Sequence, residues 1–303
     1  MLKKIFITLL IVLLFFISSS QFLKENKSMD KVKLNYGKYM MPKTLNEIIN
    51  FQKQLKSEGL LDYDELIGFD FSLAEIDTRY LNTPLDVIKF ASPGVDGVHF
   101  GFLTDFGQVK DLEDAYIVRV DPMDSDEPVH IVARNIQDFL RLLCFAPDAL
   151  FNVDVTTSEE YIKKNYELAT FPDLDDIHVM VSKRLRQRFF LEPIGSLYGY
   201  MQKVKLERES EIVLPTEDGI GVINKNLSKE GIQKRDLFDL DSDSFDPEDV
   251  KHFFETSSYE ARLVFLRDAQ SQGLLYDYEE MKHALQEQLR IMQLEDEAVR
   301  IMY

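Results

Sequence analysis

The fold is decided by residues 83–144, which read TPLDVIKFASPGVDGVHFGFLTDFGQVKDLEDAYIVRVDPMDSDEPVHIVARNIQDFLRLLC. This stretch begins with a short strand or edge segment at Val87, Ile88 and Phe90. Three further segments rich in bulky apolar residues follow, and they alternate these with smaller or polar residues, as half-buried β-strands do. The central residues of the four segments are Phe90, Phe102, Val118 and Ile131. Glycine, proline and aspartate separate the segments, so the pattern predicts consecutive strands joined by turns. Gly101 lies within the second strand, where its missing side chain would let a neighbouring group lie close.

A helix with a readable start follows the last of these strands. Asn135 is a favourable N-cap, and Asp138 stands at the third helical position. The next apolar residues recur at i, i+3, i+4 and i+7, which predicts one buried helical face: Ile136, Phe139, Leu140 and Leu143. The fold class is therefore predicted as α+β, with an antiparallel sheet of about five or six strands packed with helices and a mainly helical C-terminal region.

The same block resembles the SUKH superfamily, the fold of cell-wall-synthesis regulators and toxin-immunity proteins. The matching features are Val87-Ile88-Lys89-Phe90-Ala91, Gly94–Gly97, Phe100–Asp105, Tyr116–Asp121 and Ile131–Leu143. The match spans roughly a fifth of the chain. The chain has no tryptophan, whereas many members carry Gly-Trp motifs, and it is longer than the minimal fold. The resemblance implies a non-enzymatic, immunity-like binding protein whose partner is a toxin domain.

The charge balance indicates what kind of partner would be attracted. Asp and Glu number 53 against 35 Lys and Arg, giving a net charge of −18. So acidic a surface repels nucleic acid and anionic lipid headgroups, and it attracts a basic protein or a cation. The alternative interpretation is that the acidity only keeps the protein soluble. The predicted partner is a basic protein, bound by an aromatic centre and an acidic loop: Phe100, Phe102, Asp105, Asp121, Asp124, Asp126 and Glu127.

The N-terminal residues 1–20 carry Lys3 and Lys4 followed by an apolar run, the arrangement of a signal peptide or membrane anchor. Residues 21–41 are predicted to be a linker. This segment would make the protein exported or membrane-associated, and any membrane contact is predicted only through residues 1–20. A start at Met29 would instead give a cytoplasmic protein. The alternative function is an envelope-associated structural or regulatory protein held by this segment.

The rest of the chain divides into three predicted regions. Residues 42–155 form the SUKH-like core, including a helix capped by Thr44 and ended by Gly59. Residues 156–230 form an α/β extension, with strand patterns around Val204 and Leu206, and residues 231–303 form the helical region. Residues 57–66 and 271–281 share a helix–Gly–Leu-Leu pattern, which similar capping chemistry explains as well as duplication does.

No catalytic, cofactor or metal motif is present, so the chain is predicted not to be an enzyme. Asp239, Asp241 and Asp243 match the first positions of a calcium loop, but Ser244 and Val250 replace its glycine and glutamate, which favours a solvated linker. His99 and His130 lie on candidate neighbouring strands, where a structural role is favoured over a joint site. The only cysteine, Cys144, excludes an intrachain disulfide and reads as a buried thiol.

Overall fold

A computed structural model describes residues 27–61, 65–124, 126–151, 176–225, 237–240, 247–275 and 279–303. Its centre is an antiparallel five-stranded sheet in the order β1-β2-β3-β4-β5, with each strand beside the next along the chain. This meander confirms the predicted α+β class. The strands are β1 (Asp70–Phe71), β2 (Val87–Ser92), β3 (His99–Leu103), β4 (Ile117–Val120) and β5 (Val129–Ala133).

The sheet is covered on both faces, so every residue of β3 and β4 is buried. Phe100 and Phe102 point into one core, while Leu103 points into a second core on the opposite face. Gly101 pairs with Lys89 of β2, and a Cβ at Gly101 would lie 2.4 Å from Val87 Cγ1. The close approach expected at this glycine is confirmed.

Helices from both halves of the chain build the first core. They are α2 (Lys43–Ser57), α3 (Ile136–Phe145), the short α4 (Asp148–Phe151) and α5 (Asp176–Phe189). Asn135 caps α3 as predicted, accepting the Asp138 N–H at 2.9 Å. The N-cap predicted at Thr44 is wrong. Pro42 precedes α2, and the Thr44 N–H donates instead to Glu113 Oε1 at 2.8 Å.

The region predicted as a linker contains a helix, α1, over 27–36. Val32 and Tyr36 of this helix are buried in the first core, and the Asn35 Nδ2 group donates to the Ala74 carbonyl at 3.0 Å. The described part of residues 21–41 therefore packs on the domain. The lysines gave this stretch its linker character, but they alternate with buried apolar positions.

The extension differs from the predicted strands. Residues around Val204 and Leu206 belong to helix α6 (Leu197–Glu211), capped by Ser196, which accepts the Gly199 N–H at 3.0 Å. The residues that α6 buries follow helical spacing: Leu197, Met201, Val204 and Arg208. Beyond α6, β6 (Ile212–Leu214) and β7 (Val222–Ile223) pair as a separate two-stranded sheet.

The C-terminal region is mainly helical, as predicted. It contains α7 (Pro247–Thr256), α8 (Tyr259–Ser271), α9 (Glu279–Ile291) and α10 (Glu295–Arg300). These helices form a third apolar cluster that also takes in Leu85 and Phe106 from the sheet region. Within the described ranges, no helix combines the length and apolar character needed to cross a membrane. The predicted signal or anchor, residues 1–20, lies outside those ranges.

Candidate functional site

The structure places the seven predicted site residues in three separate locations. Phe100 and Phe102 are fully buried in the first core, where Phe100 packs 5.1 Å from the Phe139 ring and Phe102 packs 4.4 Å from the Phe90 ring, both measured between centroids. Neither ring reaches the surface, so the predicted aromatic binding centre is wrong for these two residues. Alternation along β3 identified them correctly as bulky inward residues but did not show that the sheet is covered.

Asp105 is also absent from the predicted acidic surface. It follows the C-terminal end of β3, whereas Asp121 follows the C-terminal end of β4, and because these neighbouring strands are antiparallel, the two residues lie at opposite ends of the strands. Asp105 is buried and accepts two hydrogen bonds from Arg208 of α6, from Nη1 at 3.0 Å and from Nη2 at 2.8 Å. This carboxylate therefore joins α6 to the sheet, and its proposed partner-binding role is corrected.

Asp105 belongs to a buried ion cluster that the sequence did not reveal. Arg267 of α8 lies 2.6 Å from Asp86 Oδ2 through Nη2 and 3.2 Å from Asp218 Oδ2 through Nη1. It also lies 3.9 Å from Asp105. Burial raises the pKa of Asp86, and the charge of Arg267 opposes that rise. Such a cluster fixes the arrangement of the elements it joins, because unpairing any one of its charges would be costly.

The remaining four site residues lie together on the loop at 121–127. Side chains of the loop accept hydrogen bonds from its own backbone. Asp121 Oδ1 accepts the Met123 N–H at 3.2 Å, and Asp124 Oδ1 accepts the Asp126 and Glu127 N–H groups, both at 3.1 Å. These backbone hydrogen bonds lower the pKa of Asp124, so its carboxylate is ionised at neutral pH. Asp126 and Glu127 are exposed, and they present their side chains to solvent.

A cleft of about 450 Å³ lies beside this loop. Its floor is β5, the last strand of the sheet, and its walls are α6 and the segment 217–220. Glu127 belongs to both the loop and the cleft, so the acidic loop borders the opening directly. The apolar part of the lining includes Val129, Ile131, Met201, Val204 and Ile220.

Two basic side chains from the sheet also line the cleft. Arg119 is 5% exposed, and its Nη1 donates to the Phe151 carbonyl. Asp121 and Asp124 stabilise its charge from a longer distance, while burial lowers its pKa. Burial and the neighbouring Arg119 also lower the pKa of His130. His130 is therefore neutral at pH 7, and the acids of the loop dominate the charge at this end of the cleft.

The segment 217–220 is a fixed wall. Asp218 Oδ1 accepts the Ile220 N–H at 3.1 Å, and Asp218 Oδ2 is held by Arg267 in the ion cluster. Asp268 of α8 accepts the Glu217 N–H at 2.8 Å, and burial raises the pKa of Asp268 to about 7. The wall of the cleft is thus anchored to the C-terminal helices.

The histidines predicted on neighbouring strands do not meet. His99 lies on β3 and His130 on β5, with β4 between them. Cys144 is buried as predicted, and burial raises its thiol pKa to about 12. The calcium-like aspartates at 241 and 243 lie outside the described residues. Among the residues that are described, no group of three His, Cys, Asp or Glu could hold a metal ion.

No protein-family model matches the chain, and no curated protein matches it. The SUKH resemblance therefore stays a prediction carried by the sequence pattern.

Proposed function

We propose that this protein is a non-enzymatic binding module of the immunity type, which receives a basic protein at the loop 121–127 and the adjoining cleft. The observation that carries the proposal is the pairing of exposed carboxylates with an apolar cleft at the same edge of the sheet. A protein interface commonly has this composition, with an apolar centre that supplies affinity and a charged rim that steers the partner. A toxin domain is the basic partner that the SUKH resemblance implies.

The loop is suited to electrostatic recognition because its own hydrogen bonds hold it in shape. Asp121 and Asp124 each accept backbone N–H groups through one carboxylate oxygen, Oδ1, so their negative charges stay fixed in position. Charges held in place lose little conformational freedom when a partner binds, and they attract it from a distance. The overall charge of −18 adds to the same attraction.

The apolar contribution is assigned to the cleft instead of to Phe100 and Phe102. Ile131 is half-buried at the edge of the sheet, and Met123 at the tip of the loop is 76% exposed. Both side chains stand where a docked protein would cover them. Covering a large aliphatic side chain contributes about 1.5–3 kcal/mol, which is the scale on which interface centres act.

The test is charge reversal in the loop, using Asp126→Lys combined with Glu127→Lys. The partner is first captured with the tagged wild-type chain and identified by mass spectrometry, and its association rate is then measured at low and physiological salt. We expect the double variant to associate about tenfold more slowly at low salt, with a flatter salt dependence, because these two acids no longer attract the basic partner.

The matched control is Glu280→Lys with Glu287→Lys, two exposed acids of α9. Both pairs change the net charge from −18 to −14, so the control separates local from overall charge. An equal loss of rate in the two double variants would leave the loop without a special role. An unchanged rate in the loop variant would overturn the proposal.

A further inference from the structure

The outer edge of β5 carries backbone groups that face the cleft. In an antiparallel sheet, successive residues of a strand point their N–H and C=O groups alternately to one neighbour and to the other side. The Asp121 N–H donates to the Pro128 carbonyl at 2.7 Å, which shows that Pro128 points toward β4. His130, opposite Arg119, then also points toward β4, and Val129 and Ile131 point away from it.

The register on the other side of β4 gives the same result. The Leu103 N–H donates to the Tyr116 carbonyl at 2.9 Å, so Tyr116, Val118 and Val120 point toward β3. The alternate residues Ile117 and Arg119 must then point toward β5. The two independent registers agree, and the N–H and C=O groups of Val129 and Ile131 face outward.

These outward groups have no hydrogen-bonding partner in the ranges that the structure describes. β5 has β4 on one side and the cleft on the other. An edge strand with unpaired donors and acceptors at regular spacing is a template for another strand. Protein edges are commonly blocked by an inward-pointing charge, by proline or by a covering helix. Here Pro128 precedes the strand instead of interrupting it, and α6 stands beside β5 as a wall of the cleft.

The rim of the cleft indicates the charge of the segment that would lie there. Three exposed acids line it, Glu127, Glu209 and Glu217, against one exposed cation, Lys205. The Lys205 Nζ lies 3.9 Å from Glu209 Oε1, so the rim keeps an excess of negative charge. The apolar part of the lining that keeps some exposure is formed by the half-buried side chains of Ile131 and Ile212. A strand presents alternate side chains to opposite directions, so one with alternating cationic and apolar residues fits both parts of the cleft.

We infer that the basic partner binds by strand addition: an extended segment, in which cationic and apolar residues alternate, pairs with the outer edge of β5 as a sixth strand. This inference rests on the proposed function and names its binding mode. Hydrogen bonds to Val129 and Ile131 hold the backbone of the segment, and the acids of the rim select its charged side chains.

The inference is tested with a synthetic probe, so that no natural partner is required. The probe is an acetylated and amidated peptide of about six residues, roughly one strand in length, in which lysine alternates with valine. Two versions carry N-methyl groups on alternate residues, one version in each phase, because a strand points alternate N–H groups to its neighbour. Binding is measured by isothermal titration to the full chain.

We expect the plain peptide to bind and only one methylated phase to lose affinity, by about tenfold or more, because that phase removes the donors facing β5. The other phase has the same composition and the same methyl count, and it should bind like the plain peptide. Equal losses in both phases would contradict strand addition. Absence of saturable binding up to about 1 mM would overturn it as well.

A protein variant gives the reciprocal test. Ile131→Pro removes one outward N–H, and proline is tolerated at an edge position whose N–H does not pair within the sheet. We expect about tenfold weaker peptide binding, whereas Ile131→Val, which keeps the N–H, should change affinity less than threefold. Thermal unfolding of both variants checks that the sheet remains folded, and the methylated peptides leave the protein unaltered if the proline variant does not fold.

The two proposals fail in different ways. A slower association of the Asp126→Lys, Glu127→Lys variant with the captured partner, together with loss of affinity in both peptide phases, would support the acidic docking surface and reject strand addition. Phase-dependent peptide binding with an unchanged association rate of that variant would support the edge of β5 and reject the steering role of the loop.

Discussion

His99 is a buried imidazole held by hydrogen bonds at both ring nitrogens. Nδ1 lies 2.8 Å from the Gly97 carbonyl, which can only accept, so Nδ1 carries the proton. Nε2 then accepts from the Thr83 hydroxyl at 3.1 Å, and the ring stacks on Tyr80 with centroids 5.5 Å apart. Burial lowers the pKa of His99 to about 4, so the neutral ring is the native form.

This histidine should make the protein less stable as the pH falls. Its folded-state pKa of about 4 lies below the ordinary value of 6.5, so the unfolded chain binds the proton first and stability is lost between pH 6.5 and 4. We expect His99 to contribute about 2 kcal/mol to the loss in unfolding free energy between pH 7 and pH 5. Urea unfolding of the wild-type chain and of His99→Gln at both pH values measures that share.

The comparison between the two chains isolates His99 from other titrating groups. Burial raises the pKa of Asp268 to about 7, so that carboxyl works in the opposite direction and stabilises the fold as the pH falls, equally in both chains. If the pH dependence of His99→Gln equals that of the wild type, the imidazole is not the neutral, buried group described above.

Helices α2 and α8 end in the same way, within the two similar sequences at residues 57–66 and 271–281. Gly59 and Gly273 adopt left-handed φ angles of 72° and 74°. In both, the following leucine N–H reaches back into the helix, Leu60 to the Leu55 carbonyl at 3.0 Å and Leu274 to the Ala269 carbonyl at 2.9 Å. The shared Gly–Leu-Leu sequence therefore reflects what one helix-ending geometry requires.

Alanine at either position should therefore have the same effect. An added Cβ would have no atom within 4 Å at Gly59 or at Gly273, so the cost is the left-handed backbone alone, about 1 kcal/mol. Urea unfolding of Gly59→Ala and Gly273→Ala should give equal losses. Gly97→Ala is the contrast, since a Cβ there would lie 2.8 Å from the Tyr80 ring, and we expect a larger loss. Unequal losses at 59 and 273 would show that these ends differ in more than backbone strain.

The elements that could be predicted from the sequence were those with complete local signals. The strands of the meander and α3 combine a clear period with turn residues or a cap, such as Asn135. At helix α6 the sequence pattern favours strands instead, because Val204 and Leu206 alternate with lysines. The helical spacing of Leu197, Met201 and Val204 was the competing signal, and burial against the sheet favoured it.

The candidate site was only partly predictable. The loop at 121–127 was visible as a local concentration of acids, but the roles of Asp105, Asp86 and Arg267 depend on pairs far apart in sequence. Arg208 is 103 residues from Asp105, and Arg267 is 181 residues from Asp86. Nothing in the local sequence marks which buried charges will meet, because the pairing follows from how whole elements pack.

At the scale of the whole molecule, the ion cluster joins the parts that the sequence divided. Asp86 and Asp105 flank strands of the core, Arg208 belongs to α6, and Arg267 belongs to the C-terminal helices. Arg300 of α10 adds a further link, donating from Nη2 to the Asn35 carbonyl at 2.7 Å. Regions connected by buried charges at several points should unfold together, since separating any of them would leave a charge unpaired.

Cys144 provides a direct measure of that cooperativity. It lies in the first core, 2% exposed, and should react with a thiol reagent only when that core opens. Arg267→Met, in α8, leaves the buried carboxylates of Asp86 and Asp218 without their arginine, whereas Asp105 keeps Arg208, and it should destabilise the fold by about 3 kcal/mol. If the chain unfolds as one unit, Cys144 should label about a hundredfold faster in this variant, although residue 267 lies in a different part of the sequence.

Glu287→Gln, at an exposed position of α9, should leave the labelling rate within about twofold of wild type. An unchanged labelling rate in Arg267→Met, accompanied by loss of helical circular dichroism, would mean that the C-terminal helices separate from a core that remains folded.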